Sequence, residues 1–326
     1  MKNIMITGGA GFIGSNLVKY FAEKYTDAKI IVVDKLTYAS DYETIKDLNI
    51  EFFKVDIADF ETIKMLVCEW EIDTIIHLAA ESHVDNSIAS PEQFVKTNLL
   101  GTFNLLEAAR TYWEANGMDG KRFHHVSTDE VYGSLGMEDE PFNEATPYDP
   151  RSPYSATKAG SDHLVMAYYH TYGLPVTISN CSNNYGQHQH PEKLIPKVVE
   201  CLCKGWYIPV YGNGMNVRDW LYVGDHVKAI DLILTKGKIG ETYNIGGNNE
   251  LTNLDILDTI LTEFANITNT KRKSHLVTFV TDRKGHDLRY AINYDKIKNE
   301  LGWEPETDFK EGIRNTIKYY LKRYNY

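Results

Sequence analysis

Cysteine is scarce in this sequence: Cys68, Cys181, Cys201 and Cys203 are the four in 326 residues, with no Cys-x-x-Cys pair and no metal-ligand spacing. This excludes a disulfide framework and points to a reduced, intracellular protein. Positive charge is also short, with 34 Lys and Arg against 45 Asp and Glu and a net charge of -11. Such a balance repels phosphate backbones and argues against nucleic-acid binding, although a diphosphate ligand needs only a local cluster of donors. No apolar run approaches the ~18–20 residues of a membrane span. Glycines interrupt the apolar start MKNIMITGGAGFIGS at once and no cleavage site follows, so it reads as a first strand rather than a signal peptide. Repeats and low-complexity stretches are absent too. What remains, 43% hydrophobic and 24% charged residues, is ordinary for a soluble globular protein. The expectation is a cytoplasmic enzyme-sized chain, long enough for two lobes.

Apolar runs of strand length fall at 4–7, 30–34, 51–56, 74–80, 123–128 and 176–181, with helical patterns at 15–25, 60–69, 91–116, 154–172 and 193–204 between and after them. This alternation predicts right-handed βαβ crossovers and a parallel sheet covered on both faces. Beyond Asn184 the rhythm loosens, punctuated by Pro191, Pro196, Pro209, Gly212 and Gly214. Further helices are expected at 225–234, 254–265 and 309–324, and a short strand at 241–245. The predicted architecture is α/β: a doubly wound parallel sheet in 1–185, rejoined by 222–250, with a smaller, mostly helical substrate-binding lobe in the rest of 186–326.

Gly8, Gly11 and Gly14 follow the first strand at GxxGxxG spacing, just before a helix. Glycines there allow a tight turn, close approach to a pyrophosphate and close helix–strand packing. The helix N-terminus then offers unpaired N–H groups to phosphates. Asp34 closes the second strand twenty residues after Gly14, placed to accept from a ribose 2′-hydroxyl and to repel a 2′-phosphate. The loop therefore reads as a Rossmann dinucleotide site, with NAD favoured over NADP.

Tyr154 and Lys158, four apart in PYSATKAG, share a helix face. An ammonium beside a phenol is expected to bring its pKa down into working range for a base. Ser127 and Thr128 end a strand ahead of them. GGAGFIGS, STDEVYG and YSATK together resemble the extended short-chain dehydrogenase/reductases that act on nucleotide sugars, over the whole chain. DKLTYAS, HLAAESHVDNSI, CSNNYG, PEKLIP, NVRDWLYVGDH, YNIGG and DRKGHDLRYAI narrow the resemblance to the dTDP-glucose 4,6-dehydratases. It implies a cofactor set of Gly8, Gly11, Phe12, Ile13, Gly14, Asp34, Lys35, Leu36, Thr37, Ile57, Leu78, Ala79, Ala80, Ser82, Ser127, Tyr154, Lys158 and Asn184. Asp56 is placed at the adenine amino group and Thr97 along the cofactor channel.

Asp129 and Glu130 follow Thr128 directly. Oxidising a sugar at C4 acidifies its C5 proton, so a base must remove that proton while an acid protonates the departing C6 hydroxyl. Adjacent carboxyls can divide this work if burial or the neighbouring charge keeps one protonated. The resemblance implies Asp129 as acid, Glu130 as base and Tyr154 as acceptor of the C4 hydroxyl proton. Hydride returned to C6 leaves no net redox change, so the activity expected is that of a lyase with a recycled cofactor. Nucleotide-sugar 4-epimerases of the same fold usually lack this dyad.

Arg218, Lys193, Asn183 and Asn253 are candidate donors to the diphosphate, and Pro209 and Tyr211 could wall the base. The resemblance adds Leu194, puts Ser82 and Thr128 near the hexose, and puts Asp282 and His286 by the nucleotide. Two departures from the family pattern leave a UDP-N-acetyl sugar open as substrate, for a dehydratase or an epimerase. Asn180 stands where arginine is common, and Gln187–His188–Gln189–His190 replaces a stretch that commonly carries proline. A non-catalytic NAD sensor is the more distant alternative. His188 and His190, in a polar loop without a carboxylate partner, are read as solvated, so no metal is expected. His124 and His125 are read as core and edge residues. A homodimer through the helices at 91–116 and 154–172 is implied by the resemblance; the same faces could equally cover their own core.

Overall fold

A computed structural model describes residues 1–282 and 287–326. Its first half runs β1 (Asn3–Thr7), α1 (Phe12–Lys24), β2 (Lys29–Asp34), β3 (Glu51–Lys54), α2 (Phe60–Glu69), β4 (Thr74–His77), α3 (Val84–Ala89) and α4 (Pro91–Phe94). A π-helical segment at Val95–Gly101 leads into α5 (Thr102–Asn116), β5 (Arg122–Thr128), α6 (Pro153–Tyr172) and β6 (Val176–Cys181). The second half contributes β7 (Asn183–Tyr185), α7 (Leu194–Lys204), β8 (Ile208–Tyr211), β9 (Val217–Tyr222), α8 (Val223–Lys236), β10 (Thr242–Ile245) and β11 (Glu250–Thr252). It ends with α9 (Asn253–Thr268), β12 (Val277–Val280), β13 (Arg289–Tyr290), α10 (Asp295–Leu301) and α11 (Phe309–Arg323).

Seven strands form one sheet in the order β10-β6-β5-β4-β1-β2-β3, with every pairing parallel. The continuous apolar runs are explained by burial on both faces. Met5, Ile31, Val33, Ile75, Phe123 and Val176 meet α2, α5 and α6 on one side. Their neighbours in sequence, Ile4, Ile6, Ile30, Val32 and Ile76, meet α1 and α8 on the other. The order turns at β1 and β4, opening a crevice at their carboxyl ends, where open α/β sheets hold ligands.

Beyond β7 the chain gathers α7, α9 and α11 around a second core of Ile195, Val199, Ile256, Ile260, Ile313 and Ile317. Smaller sheets flank it: β11-β9-β13 with β7 against β9, and β12 beside β8. The helix α8 and strand β10 return to the first sheet, β10 pairing with β6. The short strands β7, β8, β9, β11, β12 and β13, in a stretch punctuated by Pro209, Gly212 and Gly214, escaped the periodicity reading, as did α3 and α10. The helix expected at 91–116 is continuous but carries the π segment. The run at 74–80 stops being a strand at His77 because the chain then turns across the crevice. His125 is no edge residue: with His124 it is fully buried, since β5 lies inside the sheet.

Candidate active site

The crevice begins at the glycine loop. A Cβ on Gly14 would stand 2.0 Å from the Gly8 carbonyl oxygen, and one on Gly8, at φ +71, would stand 2.7 Å from the Ala79 nitrogen. Only hydrogen fits at either position, so β1, α1 and the turn after β4 close up and leave backbone facing the crevice. No side chain caps α1 at Gly11, which leaves its first-turn N–H groups for a ligand. Asp34 accepts from the Ala10 and Leu36 N–H groups at 3.1 and 2.8 Å and from Ser40 Oγ at 2.9 Å. Three donors fix the carboxylate at the crevice wall, where a ribose would meet it. Lys35 Nζ reaches Glu81 at 2.9 Å and Thr97 Oγ1 at 3.1 Å across the floor. This uncapped, Cβ-free cradle with a fixed carboxylate fits a dinucleotide without a 2′-phosphate.

At the other end β5 delivers Ser127 and Thr128, and the chain turns at once. Thr128 Oγ1 accepts from the Glu130 N–H at 3.3 Å and starts a 3₁₀ turn over Asp129–Tyr132. The turn buries Asp129, 2% exposed, and leaves Glu130 partly exposed beside it. Burial pushes the Asp129 carboxyl well above the usual range, and the charges of Glu130 and Asp219 add to this. The shift favours the protonated form of Asp129, and its Oδ2 has no hydrogen-bond partner among the described residues. Two adjacent carboxyls are held in opposite environments.

The helix α6 supplies the tyrosine and lysine. Ser152 and Ser155 form a reciprocal capping box, with Pro153 in the first turn, which fixes where the helix starts. Tyr154 and Lys158 reach the crevice from one face and are 8% and 4% exposed. Lys158 Nζ donates to the Val126 carbonyl at 2.9 Å and lies 3.3 Å from His125 Nε2. The expectation that Lys158 lowers the phenol is not met by the chain alone. Burial drives Tyr154 well above its ordinary value, the charge of Glu130 adds to this, and a hydrogen bond with Thr128 opposes it. Desolvation outweighs a lysine whose ammonium is turned toward β5.

The crevice brings together most of the expected residues: Gly8, Gly11, Phe12, Ile13, Gly14, Asp34, Lys35, Thr37, Ile57, Leu78, Ala79, Ala80, Ser82, Thr97, Ser127, Thr128, Asp129, Glu130, Tyr154, Lys158, Asn183, Asn184 and Lys193. Leu36, Asp56, Leu194, Pro209, Tyr211, Arg218, Asn253 and Asp282 are not in its lining. Asp56 accepts from the Ala58 N–H at 3.0 Å, and Leu194 packs into the second core. Arg218 stacks 4.4 Å over the Tyr290 ring and donates to the Asp287 carbonyl at 3.0 Å. His286 lies outside the described residues. The sequence reading missed Ser40 and Glu192 in the lining, which also holds Gln189 and His190 of the departing stretch. It also missed Asn98, whose amide bonds Glu81 at both backbone groups and Thr157 at 2.9 Å, tying the loop after β4 to α6. Its place in the π segment, which the sequence does not show, is what sets it apart. Contrary to expectation, His190 has a carboxylate neighbour. Glu192 lies 3.6 Å from it and 3.7 Å from His83. No group of three or more residues placed to hold a metal occurs among the described residues.

Comparison with known proteins agrees with this geometry. The chain is 48% identical to a dTDP-glucose 4,6-dehydratase of Neisseria meningitidis, covering 98% of this chain and 94% of that one. The dTDP-glucose 4,6-dehydratase of Bacillus anthracis, solved in complex with NAD, superposes with a TM-score of 0.89 at 44% identity, covering 100% of this chain and 98% of the other. That of Streptomyces venezuelae, with NAD and TYD bound, gives 0.90 at 42%, covering 99% and 98%. Residues 5–316 match the family model described as GDP-mannose 4,6 dehydratase, and the chain belongs to that family.

Proposed function

We propose that the protein is a dTDP-glucose 4,6-dehydratase, an NAD-dependent hydro-lyase that forms dTDP-4-keto-6-deoxyglucose. The observation that carries this reading is the Asp129–Glu130 pair at the end of β5, one carboxyl buried and shifted toward its protonated form and the other partly exposed. NAD held by the glycine loop and Asp34 would supply a hydride acceptor that returns the hydride within one turnover, and its oxidised form would bring positive charge to the crevice that Tyr154 lines. The chain's own groups do the rest. Tyr154 as the phenolate receives the C4 hydroxyl proton; burial disfavours that form and added positive charge favours it. Glu130 removes the C5 proton, and Asp129 gives its proton to the departing C6 hydroxyl. Thr128 and Ser82 hold the hexose. Gly8, Gly11, Gly14 and Asp34 seat the dinucleotide.

The lobe boundaries, the outlying nucleotide contacts at Arg218, Asn253, Pro209 and Tyr211, and a homodimer through α5 and α6 belong to the same proposal. Exposed Leu100, Phe103 and Tyr172 on that face support the dimer, and sedimentation velocity tests it. The departure at Asn180 does not favour another sugar nucleotide. That side chain is fully buried and donates to the Thr128 carbonyl at 3.1 Å, away from the crevice lining.

Incubation with dTDP-glucose and with UDP-N-acetylglucosamine, followed by mass and NMR analysis, tests the reaction. Loss of water from dTDP-glucose is expected, and loss from neither sugar would refute dehydration. In Glu130→Gln, exchange of the C5 proton with solvent should stop while C4 oxidation persists. Deuterium entering C5 in that variant would assign the base elsewhere.

A further inference from the structure

Behind Lys158 lies a group that the proposed reaction leaves unused. Asp162 sits one helical turn after Lys158 on α6, on the same face, and is 2% exposed. Its Oδ2 accepts from Ser127 Oγ at 2.8 Å and from the Tyr148 hydroxyl at 3.0 Å. Its Oδ1 is 3.1 Å from His125 Nε2, the atom that also lies 3.3 Å from Lys158 Nζ. The carboxyl thus touches the last turn of β5 before Thr128 and the imidazole against which the ammonium rests.

Burial shifts most of the other titratable groups around it toward their neutral forms. Burial and the ammonium push His125 well below the usual histidine range, and the same forces act on His77, whose ring lies 5.1 Å from that of His125. Burial raises the Cys181 thiol on β6 to about 12 and moves the phenols of Tyr132 and Tyr148 upward. His163, the remaining titratable neighbour on α6, packs on the Tyr148 ring at 5.4 Å. Burial pulls the Lys158 ammonium below its ordinary value, and the charge of Asp162 is the leading influence that opposes this.

The geometry points to Asp162 as a positioning residue: its carboxylate keeps Lys158 charged and, by accepting from Ser127, holds the end of β5 from which Thr128 and Asp129 reach the substrate. This rests on the reaction proposed above, in a crevice that Lys158 shares with Tyr154. Burial lifts Asp162 to about 6 although Lys158 opposes the shift. Acidification through that range removes the balancing charge and leaves the ammonium uncompensated, so turnover should fall on the acid side.

The test uses the NAD-loaded enzyme with dTDP-glucose between about pH 5 and 9, together with infrared spectroscopy of the protonated carboxyl band. In the wild type the band should appear and kcat should fall as pH drops through about 6. Asp162→Asn should lack that band and that acid limb, with kcat lowered about tenfold and KM within about twofold. Tyr148→Phe removes a hydrogen bond to the ionised form, so both transitions should move to higher pH. A folded Asp162→Asn protein that keeps the limb, or keeps wild-type kcat, overturns the inference. If that variant does not fold, an unmoved limb in Tyr148→Phe overturns it. A wild type inactive on dTDP-glucose removes the functional reading, whereas the infrared band still decides whether Asp162 ionises beside Lys158.

Discussion

The two ends of the crevice are built on different principles. Around Gly8, Gly11 and Gly14 the wall is backbone, shaped by the lack of side chains. At Asp129, Glu130 and Tyr154 the wall is side chain, and its chemistry depends on which groups are buried. The first end selects a ligand by shape, fixed dipoles and the Asp34 carboxylate, and no proton moves there during binding. The second works through protons, so each neighbour that alters local charge or burial alters it. Binding and chemistry should therefore fail separately.

Asp129→Asn gives the largest expected effect and the sharpest test of that separation. Loss of a general acid should lower kcat by about 10²–10⁴, while NAD content after purification stays that of the wild type; a parallel loss of NAD would merge the two ends. Gly14→Ala should do the reverse. Its methyl would sit 2.0 Å from the Gly8 carbonyl oxygen, and relief of such overlap costs about 1–3 kcal/mol. NAD affinity measured by calorimetry should fall about 10–100-fold. Asp34→Asn is milder, because the amide keeps its shape and loses charge. NAD binding should weaken about tenfold and the preference over NADP should shrink in the same titration.

The pH dependence of stability separates the ends again. The folded protein holds Asp162 at about 6, above its ordinary value of 3.8. Its contribution to stability is present below the ordinary value and is lost as pH rises through about 6. Urea melts should show Asp162→Asn gaining on the wild type between about pH 4 and 7, by on the order of 2–3 kcal/mol. A difference that does not change with pH would break the assignment. Thr252→Ala, in the capping box that starts α9 away from both ends, should lower stability by about 1 kcal/mol and leave kcat and NAD content unchanged.

The same contrast explains what could be read from the chain alone. Gly8, Gly14 and Asp34 were legible because their roles are local, set within one βαβ unit. The strands of the large sheet were legible because burial on both faces writes continuous apolar runs. Asp129 and Glu130 could be named from their place after Thr128, and the 3₁₀ turn that buries the first is what shifts it toward the protonated form. His125, Asp162 and Asn98 were out of reach, since their importance comes from β5 lying beside α6 and from a helix bent off regular geometry. Lys158 shows how spacing can mislead. Four residues from Tyr154 puts it on the right face, yet its ammonium points to Val126 and His125.

The π segment at Val95–Gly101 has a consequence for how this stretch can change over generations. A π turn holds one residue more than the regular helix would, and each residue advances a helix by about 100°. Removing one residue there would restore ideal backbone geometry and improve local helix energetics. It would also rotate α4 against α5 by that angle, carrying Phe94 off the Tyr154 ring and Asn98 away from Glu81 and Thr157. Insertions and deletions should therefore be excluded from this helix, while substitutions on its exposed face remain free. A library of single-codon deletions across 91–116, scored for activity in soluble extracts, would register that constraint as a gap over the π segment.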